Sequence, residues 1–333
     1  MNVAIIGAGF SGLAVAWHLL KAFPSCQLSI FDQKKIGEGT SGIAAGLLHP
    51  FSGAHAKLNP QGFEGMAATH ELLAMAAHTL NRPVVSPQHG LLRLALTAAQ
   101  IEDFQKSAKR YFPHVQWLES ETCQTLIPGC AVAPGLWIPS ALTVYAKTYL
   151  SGLWQACAQQ GAQFYQQKIQ SLNDLSSFQI IIVTTGAEIS QLPECAHLPI
   201  NAVKGQVLEF TPPAPLLNYP VNSHAYLLMS ETQQSCLAGA TYERKFQTDK
   251  ADWITAKEDI LPKAFVLYPS LKESQVIGCA AGLRASAPGH LPFIQRLSSR
   301  TWVLTGMGSK GLLYHALYAK KLVEQLHLPY AKE

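Results

Sequence analysis

The first 32 residues carry the feature that most constrains the fold, a glycine-rich loop between two short apolar runs. The loop reads Gly7-Ala8-Gly9-Phe10-Ser11-Gly12; a strand-like run at residues 2–6 precedes it, and apolar positions at helical spacing follow it. A second strand-like run at residues 27–31 ends on Asp32. Strand, glycine loop, helix, strand and acid in this order are typical of a dinucleotide-binding βαβ unit. The sequence therefore predicts a Rossmann-like domain at its start.

The glycines and the acid of this unit each have a physical role. Gly7 allows the tight turn, Gly9 lets a pyrophosphate approach the backbone, and Gly12 lets the helix pack closely on the sheet. The start of the helix offers unpaired N–H groups and the positive end of a dipole to the phosphates. The Asp32 carboxylate is suited to accept both hydroxyls of an adenosine ribose, and its charge disfavours a 2′-phosphate. This stretch alone leaves FAD and NAD as alternatives.

Composition and charge exclude several classes of protein. The 333 residues are 48% apolar and 14% charged, which indicates a compact globular protein of two lobes. The net charge of +4 comes without a Lys/Arg cluster, so it permits an anionic ligand but does not indicate nucleic acid. The seven cysteines have no metal-binding spacing, so we predict reduced thiols and no metal site. We find no signal peptide and no apolar run of about 18 residues, which predicts a cytoplasmic protein without a membrane segment.

Three later stretches indicate how the chain is organised. Small residues dominate residues 35–50; they suit a backbone that runs close to a flat ligand, and a plain flexible loop is the alternative. Residues 203–242 are β-rich and contain a predicted hairpin. A strand at residues 302–305 precedes a second glycine-rich loop at 306–311 and a helix to about Leu326. We therefore expect interleaved lobes, with the nucleotide-binding lobe built from both ends and the middle of the chain.

Several separated motifs match one protein family in order along nearly the whole chain. They are GAGFSG at residues 7–12 with Asp32, TSGIAAG at 40–46, TTG at 184–186, VKGQ at 203–206, GAT at 239–241, GLR at 282–284 and GMGSKG at 306–311. Together they resemble the FAD-dependent family of D-amino acid oxidase, glycine oxidase and sarcosine oxidase. Two branches look most similar: glycine oxidase, and the FAD-dependent oxidase half of the bifunctional enzyme that modifies the wobble uridine of tRNA. The chain departs from the second branch in lacking a methyltransferase half and in having Lys310 where that pattern often shows Arg.

The resemblance implies a fold of the α/β and α+β classes. A Rossmann-like FAD-binding domain, which contains the GxGxxG βαβ unit, is interleaved with a substrate domain built on a mixed or antiparallel sheet. The FAD-binding domain is predicted at residues 1–81, 141–202 and 275–333, and the substrate-binding domain at residues 82–140 and 203–274.

The resemblance also implies FAD rather than NAD as the cofactor. The adenosine is expected on residues 7–32, the isoalloxazine along residues 41–48, and the start of the last helix at the N1/C2=O edge of the flavin. The predicted cofactor-binding residues are Gly7, Gly9, Phe10, Ser11, Gly12, Asp32, Gln33, Thr40, Ser41, Gly42, Ala45, Gly46, Leu47, Ile169, Thr185, Gly186, Arg284, Gly308, Ser309, Lys310, Gly311 and Leu312.

Five residues are the predicted catalytic and substrate-binding set. The resemblance assigns Arg284 to the substrate carboxylate, which its planar guanidinium fits; a structural salt bridge is the alternative. His224 and Tyr226 are predicted on one strand with side chains on the same face, across the substrate cavity from the flavin. Tyr242 is predicted as a further cavity residue. Lys310 either adds to the charge at the flavin edge or is a solvated surface lysine.

The resemblance implies an enzyme that oxidises the C–N bond of an amino acid or secondary amine with a glycine-type carboxylate. A hydride passes to flavin N5, and water hydrolyses the imine that is left. Two alternatives use the same cofactor: a stand-alone oxidase of the wobble uridine of tRNA, and a non-catalytic FAD-binding subunit of a hetero-oligomeric dehydrogenase. An NAD-dependent dehydrogenase is a third, which the second glycine loop disfavours. The expected partner is a small-molecule amine or amino acid; tRNA, a homo- or hetero-oligomer and the electron acceptor stay open.

Overall fold

The structure is a computed structural model, and it describes residues 1–326. The strands, in chain order, are β1 (Asn2–Ile6), β2 (Gln27–Asp32), β3 (Leu47–Leu48), β4 (Leu91–Leu94), β5 (Gln116–Leu118), β6 (Gly135–Ile138), β7 (Leu142–Thr143), β8 (Gln163–Gln166), β9 (Ile180–Val183), β10 (Asn201–Phe210), β11 (Val221–Asn222), β12 (Tyr226–Met229), β13 (Cys236–Gly239), β14 (Val276–Ser286), β15 (Phe293–Arg296) and β16 (Thr301–Thr305). The α-helices are α1 (Phe10–Ala22), α2 (Thr40–Ile43), α3 (Gly62–Leu80), α4 (Ala98–Arg110), α5 (Ser120–Leu126), α6 (Ala146–Gln159), α7 (Trp253–Leu267) and α8 (Gly311–Gln325).

The first sheet has six strands in the order β15-β16-β9-β1-β2-β8. Neighbours are parallel except at the edge, where β15 runs antiparallel to β16. One face of the sheet packs on α1, α6 and α8, and the other packs on the segment around Leu172 and Ile189. Because both faces are covered, β9 is apolar and buried at every position. The predicted Rossmann-like domain is confirmed.

The second sheet has eight strands in the order β14-β10-β13-β12-β11-β4-β6-β5. It is mixed, because β11 and β4 are parallel whereas the other neighbours are antiparallel. Side chains of β10 pack on α7 across one face, where Leu208, Phe210 and Ala264 share a core. β12 and β13 form the predicted hairpin. This confirms the mixed or antiparallel sheet expected for the second part of the fold.

The domain boundaries stay a prediction, and one long strand bears on them. β14 pairs with β10 from Asn201↔Ser286 to Phe210↔Val276, so it belongs to the second sheet. The predicted boundaries assigned residues 275–286 to the FAD-binding domain. Sheet membership depends on the pairing partner, which the local pattern does not reveal. The last predicted residues of that domain, 327–333, lie outside the described residues.

The two sheets meet where the small-residue stretch crosses from one to the other. The Thr40 hydroxyl accepts a hydrogen bond from the backbone N–H of Leu283 at 3.2 Å. A Cβ on Gly282 would lie 2.9 Å from the Thr40 methyl carbon, so β14 and α2 approach closely here. Across residues 1–326, no helix is both long and apolar enough to cross a membrane.

Candidate cofactor and substrate site

The glycine loop between β1 and α1 is packed so tightly that Gly7 and Gly12 have no room for side chains. Gly7 has φ +106°, and a Cβ on Gly7 would lie 2.6 Å from the carbonyl oxygen of Thr184. A Cβ on Gly12 would lie 1.8 Å from the Gly7 carbonyl oxygen. The Thr184 hydroxyl hydrogen-bonds to the carbonyl oxygens of Ile6 and Gly7 at 2.9 and 3.1 Å. The loop and α1 are therefore held by backbone contacts that only glycine permits.

Asp32 ends β2 beside this loop, as the motif predicts. Its Oδ2 accepts a hydrogen bond from the Ala8 N–H at 2.8 Å, and its Oδ1 accepts one from the Lys34 N–H at 2.9 Å. The Gln33 amide donates to a carboxylate oxygen of Glu188 at 2.6 Å. Burial raises the pKa of the Glu188 carboxyl. These groups form one end of a cavity of about 190 Å³, which we call the dinucleotide cavity.

A second cavity of about 360 Å³, the inner cavity, reaches from the glycine loop to the start of α8. It shares Gly9, Ser41 and Gly186 with the dinucleotide cavity, so the two form one path along the junction of the sheets. The predicted cofactor residues that line the dinucleotide cavity are Gly7, Gly9, Asp32, Gln33, Thr40, Ser41, Gly42, Ile169, Thr185 and Gly186. Those that line the inner cavity are Gly9, Phe10, Ser11, Thr40, Ser41, Ala45, Gly46, Leu47, Gly186, Arg284, Gly308, Ser309, Gly311 and Leu312.

The small-residue stretch is folded as α2 and β3 and forms a wall of the inner cavity. A Cβ on Gly42 would lie 1.8 Å from the Gly37 carbonyl oxygen. Gly46 has φ +93°, and a Cβ there would lie 2.0 Å from the Val144 carbonyl oxygen. The alternative of a plain flexible loop is therefore wrong, because these backbone contacts require an ordered segment.

Arg284 stands on β14 with its guanidinium packed against Gly205. A Cβ on Gly205 would lie 2.1 Å from one guanidinium nitrogen. Arg284 Nη1 donates to the Thr241 carbonyl oxygen at 3.1 Å. Within residues 1–326 Arg284 forms no salt bridge, so no described residue supports the alternative of a structural ion pair. Desolvation lowers the pKa of this guanidinium, which nevertheless stays charged at neutral pH.

Tyr226 opens β12 and lies beside Arg284 in the wall of the inner cavity. Desolvation raises the pKa of its hydroxyl to about 12, although the nearby Arg284 lowers it. The phenol is therefore neutral at physiological pH and available as a hydrogen-bond donor. Of the five predicted catalytic residues, Arg284 and Tyr226 are the two that line the inner cavity.

The other three predicted catalytic residues lie elsewhere. His224 is exposed in a bend before β12, so the predicted strand position for it is wrong: the strand begins only at Tyr226. The Lys310 ammonium donates to the His290 carbonyl oxygen at 2.8 Å, which turns it away from the inner cavity. Tyr242 is 52% exposed and lines a third cavity of about 350 Å³ together with Arg244 and His290. Their motifs predicted the backbone segment correctly but not the direction of the side chains.

Sequence reasoning missed three polar residues that line the inner cavity, Thr184, Thr305 and Asn222. Asn222 lies on the two-residue strand β11, opposite Tyr226 in the register of the sheet, and both line the cavity. Paired residues of neighbouring strands project to the same face. No motif surrounds Asn222, so only the strand pairing reveals it.

A buried aromatic cluster of Phe10, Tyr149 and His315 packs against the first turns of α8. Phe10 packs against His315 with ring centroids 5.3 Å apart. His315 Nδ1 is 3.0 Å from the Gly311 carbonyl oxygen, so this nitrogen carries the proton. His315 Nε2 then accepts a hydrogen bond from the Tyr149 hydroxyl at 2.8 Å. Burial lowers the pKa of His315 to about 4, which keeps the imidazole neutral.

The combined path fits FAD. It begins at a ribose-type carboxylate and a glycine loop with no room for a Cβ, and it ends at the first turn of α8. The first N–H groups of a helix have no intrahelical partners, so both ends of the path offer backbone donors to an electron-rich ligand. A ligand with phosphates at one end and a flat, small-residue-lined section at the other matches this arrangement.

Comparisons with known proteins agree with this assignment. The family model described as FAD dependent oxidoreductase (DAO) matches residues 2–325. The chain is 26% identical to a tRNA 5-methylaminomethyl-2-thiouridine biosynthesis bifunctional protein of Hydrogenovibrio crunogenus, over 98% of this chain and 51% of that protein. It therefore spans about half the length of this bifunctional relative. It is 22% identical to a glycine oxidase of Geobacillus kaustophilus, over 92% of this chain and 87% of the relative.

A solved structure shows the same fold. The crystal structure of glycine oxidase from Geobacillus kaustophilus superposes with a TM-score of 0.83 at 23% identity, covering 98% of this chain and 95% of that chain. The family match extends over nearly the whole sequence, and the two glycine-rich loops predicted from the motifs lie along one path. This protein belongs to the DAO family of FAD-dependent oxidoreductases.

Proposed function

We propose that the protein oxidises the C–N bond of an amino acid or secondary amine that carries a glycine-type carboxylate. The observation that carries this proposal is Arg284: a half-buried guanidinium in the wall of the inner cavity, with no salt bridge to any described residue. A guanidinium without a partner acid, in a partly desolvated wall, favours binding of a carboxylate from solution.

The residues of the inner cavity have distinct roles in this proposal. Arg284 binds the substrate carboxylate in a bidentate manner and so fixes the orientation of the carbon next to it. The neutral Tyr226 hydroxyl donates a second hydrogen bond to the same end of the substrate. The apolar side chains of Leu47, Val207 and Met307 exclude water around the amine. FAD bound along the path would supply the acceptor for the hydride that leaves the substrate carbon.

A substrate comparison with FAD-loaded protein tests this proposal. Under anaerobic conditions we expect glycine, sarcosine or N-ethylglycine to bleach the oxidised flavin spectrum. Sarcosinamide is the matched control, because it keeps the amine and the carbon skeleton but lacks the carboxylate; we expect it to react at least about tenfold more slowly, since one charge-assisted contact is lost. A bound flavin that none of these amines reduces would overturn the proposal.

A second candidate carries the same glycine-type group on tRNA. The relative in Hydrogenovibrio crunogenus is named for tRNA 5-methylaminomethyl-2-thiouridine biosynthesis, and it matches 98% of this chain. The third cavity supports a larger substrate, because Tyr242, whose ring is exposed, and Arg244 line it, and none of the residues within 1–326 that line it is an acid. Mass spectrometry of wobble nucleosides from a deletion strain tests this candidate; an unchanged nucleoside profile would exclude it.

The third candidate, a non-catalytic FAD-binding subunit of a hetero-oligomeric dehydrogenase, makes a different prediction. Such a subunit needs no substrate cavity, whereas here Arg284, Tyr226 and Asn222 converge on one. The convergence favours the catalytic candidates. Addition of sarcosine to the isolated, FAD-loaded chain discriminates the two candidates. Reduction of the flavin in the isolated chain excludes a purely structural subunit.

A further inference from the structure

A buried polar cluster lies behind Arg284, on the opposite face of the second sheet. Side chains alternate along β10, so Gly205 and Val207 line the inner cavity while Lys204 and Gln206 face the other way. Lys204 is 2% exposed and Gln206 is fully buried. Thr241 and Glu243 complete what we call the Glu243 network. None of its members contacts the cavity, yet buried polar groups are retained only where their hydrogen bonds are satisfied.

The hydrogen bonds of this network converge on one carboxylate oxygen. Glu243 Oε1 accepts from the Thr241 hydroxyl at 2.5 Å and from the Gln206 side-chain amide at 2.9 Å. The Thr241 hydroxyl in turn accepts from the backbone N–H of Gln206 at 2.9 Å. The other oxygen, Oε2, is 4.0 Å from the Lys204 ammonium. Thr241 is thus fixed on two sides and is 1% exposed.

The network reaches the cavity through the backbone of Thr241. Its carbonyl oxygen accepts from Arg284 Nη1 at 3.1 Å, and this is the one hydrogen bond between the guanidinium and another residue of the described chain. The rest of the guanidinium lies over Gly205, which has no side chain to hold it. The angle at which Arg284 faces the cavity therefore depends on where the Thr241 carbonyl points.

We propose that Glu243 is a positioning residue for carboxylate recognition: through Thr241 it orients the Arg284 guanidinium that binds the substrate. This inference rests on the proposed function, because it assigns Arg284 to the substrate carboxylate. Glu243 itself touches neither substrate nor cofactor. Its removal is expected to weaken binding of the carboxylate end of a ligand and to leave the rest of the reaction in place.

The test is Glu243→Met in the FAD-loaded protein, with Glu209→Met as the matched control, because Met keeps the length of the side chain and removes the oxygen that accepts from Thr241 and Gln206. Glu209 lies on β10, the strand of Lys204 and Gln206, away from the inner cavity. We expect Glu243→Met to raise KM for sarcosine about tenfold with kcat within about twofold, because loss of orientation acts on the carboxylate contact. The reactivity of sarcosinamide, which lacks the carboxylate, is expected to stay unchanged. Equal losses for sarcosine and sarcosinamide, or no change for either, would overturn the inference.

A binding measurement separates this inference from the proposed function. Methylthioacetate has sulfur in place of the amine nitrogen, so it binds as a carboxylate and cannot form an imine. We expect its Kd, read from the perturbed flavin spectrum, to rise about tenfold in Glu243→Met and to stay constant in Glu209→Met. If sarcosine never reduces the wild-type flavin, the proposed function fails while this comparison still tests the positioning role. An unchanged Kd contradicts that role.

A double variant guards against misfolding. Glu243→Met leaves the buried Lys204 without its partner, which destabilises proteins in general. Lys204→Met/Glu243→Met removes both charges together, and a melting curve shows whether it folds. We expect the double variant to melt near the wild-type temperature and still to bind methylthioacetate about tenfold more weakly. Wild-type affinity in a folded double variant would show that the carboxylate of Glu243 does not orient Arg284.

Discussion

The two ends of the cofactor path differ in whether backbone atoms or side chains form the contacts that define them. At the dinucleotide end the contacts are backbone to backbone: a Cβ on Gly12 would lie 1.8 Å from a carbonyl oxygen, and so would one on Gly42. At the substrate end the wall also includes functional side chains, Arg284 and Tyr226 among them, held by the sheet and by Thr241. We therefore expect a substitution at the dinucleotide end to cause steric overlap and to lower stability. A substitution at the substrate end is expected to preserve the fold and to lower substrate binding.

Gly12→Ala is expected to have the largest effect, because the new methyl group would overlap the Gly7 carbonyl. We expect a loss of more than about 3 kcal/mol of unfolding free energy and a protein that does not retain FAD through gel filtration. Gly161→Ala is the control: Gly161 has φ +90° but open space around its Cβ. Its cost should be about 1 kcal/mol with full flavin content. Similar behaviour of both variants would refute the steric account.

Arg284→Gln tests the side-chain end. We expect kcat/KM for sarcosine to fall about 100-fold, or roughly 3 kcal/mol, because a charge-assisted contact to the carboxylate is lost. The melting temperature and flavin content should change little, since no described residue depends on Arg284 for a salt bridge. Steady-state kinetics and flavin absorbance measure the two effects. Parallel loss of flavin and activity would place Arg284 with the backbone end of the comparison.

The buried histidine between the two ends gives a pH-dependent prediction. The pKa of His315 is about 4 in the folded protein and about 6.5 when unfolded, so the unfolded chain binds the extra proton first as pH falls. Stability is therefore lost between pH 6.5 and 4, by up to about 1.4 kcal/mol per pH unit from this group. His315→Gln should flatten the slope of unfolding free energy against pH by that amount. Denaturant titrations over this range measure it; parallel curves for both proteins would contradict the assignment.

His224→Ala is expected to have the smallest effect. His224 is exposed outside the inner cavity, so we expect kcat/KM for sarcosine and the melting curve to stay within error of wild type, a change below about 0.5 kcal/mol. A tenfold fall in kcat/KM with unchanged flavin content would show that this side chain enters the cavity when substrate binds.

The contrast between the two ends also explains what could be predicted from sequence. The glycine loop, Asp32 and the second glycine loop impose fixed spacings, because their contacts are made by neighbours along the chain and by the backbone. The mixed second sheet was predicted from its β-rich segments and the resemblance. Family motifs identified Arg284, but the absence of a salt bridge at that residue required the three-dimensional structure.

Three features could not be predicted because they depend on pairing between distant segments. β14 joins the second sheet through β10, Asn222 reaches the cavity through its register with Tyr226, and Lys310 turns toward the His290 carbonyl. Periodicity predicts which face a side chain occupies only when the strand boundary is known. At His224 the predicted boundary was wrong, because the strand begins only at Tyr226. Side-chain direction in short strands is thus the least predictable part of this site.

The hydrogen bond between Thr40 and Leu283, where the two sheets meet, has a consequence for how the coenzyme binds and dissociates. Thr40, Gly282 and Leu283 join the two sheets, and the same residues line both cavities. A molecule bound there contacts residues of both sheets, so its dissociation requires the two sheets to move apart. We therefore expect exchange with free coenzyme to be slow and limited by this breathing motion, and the loaded protein to resist proteolysis far longer than the empty one.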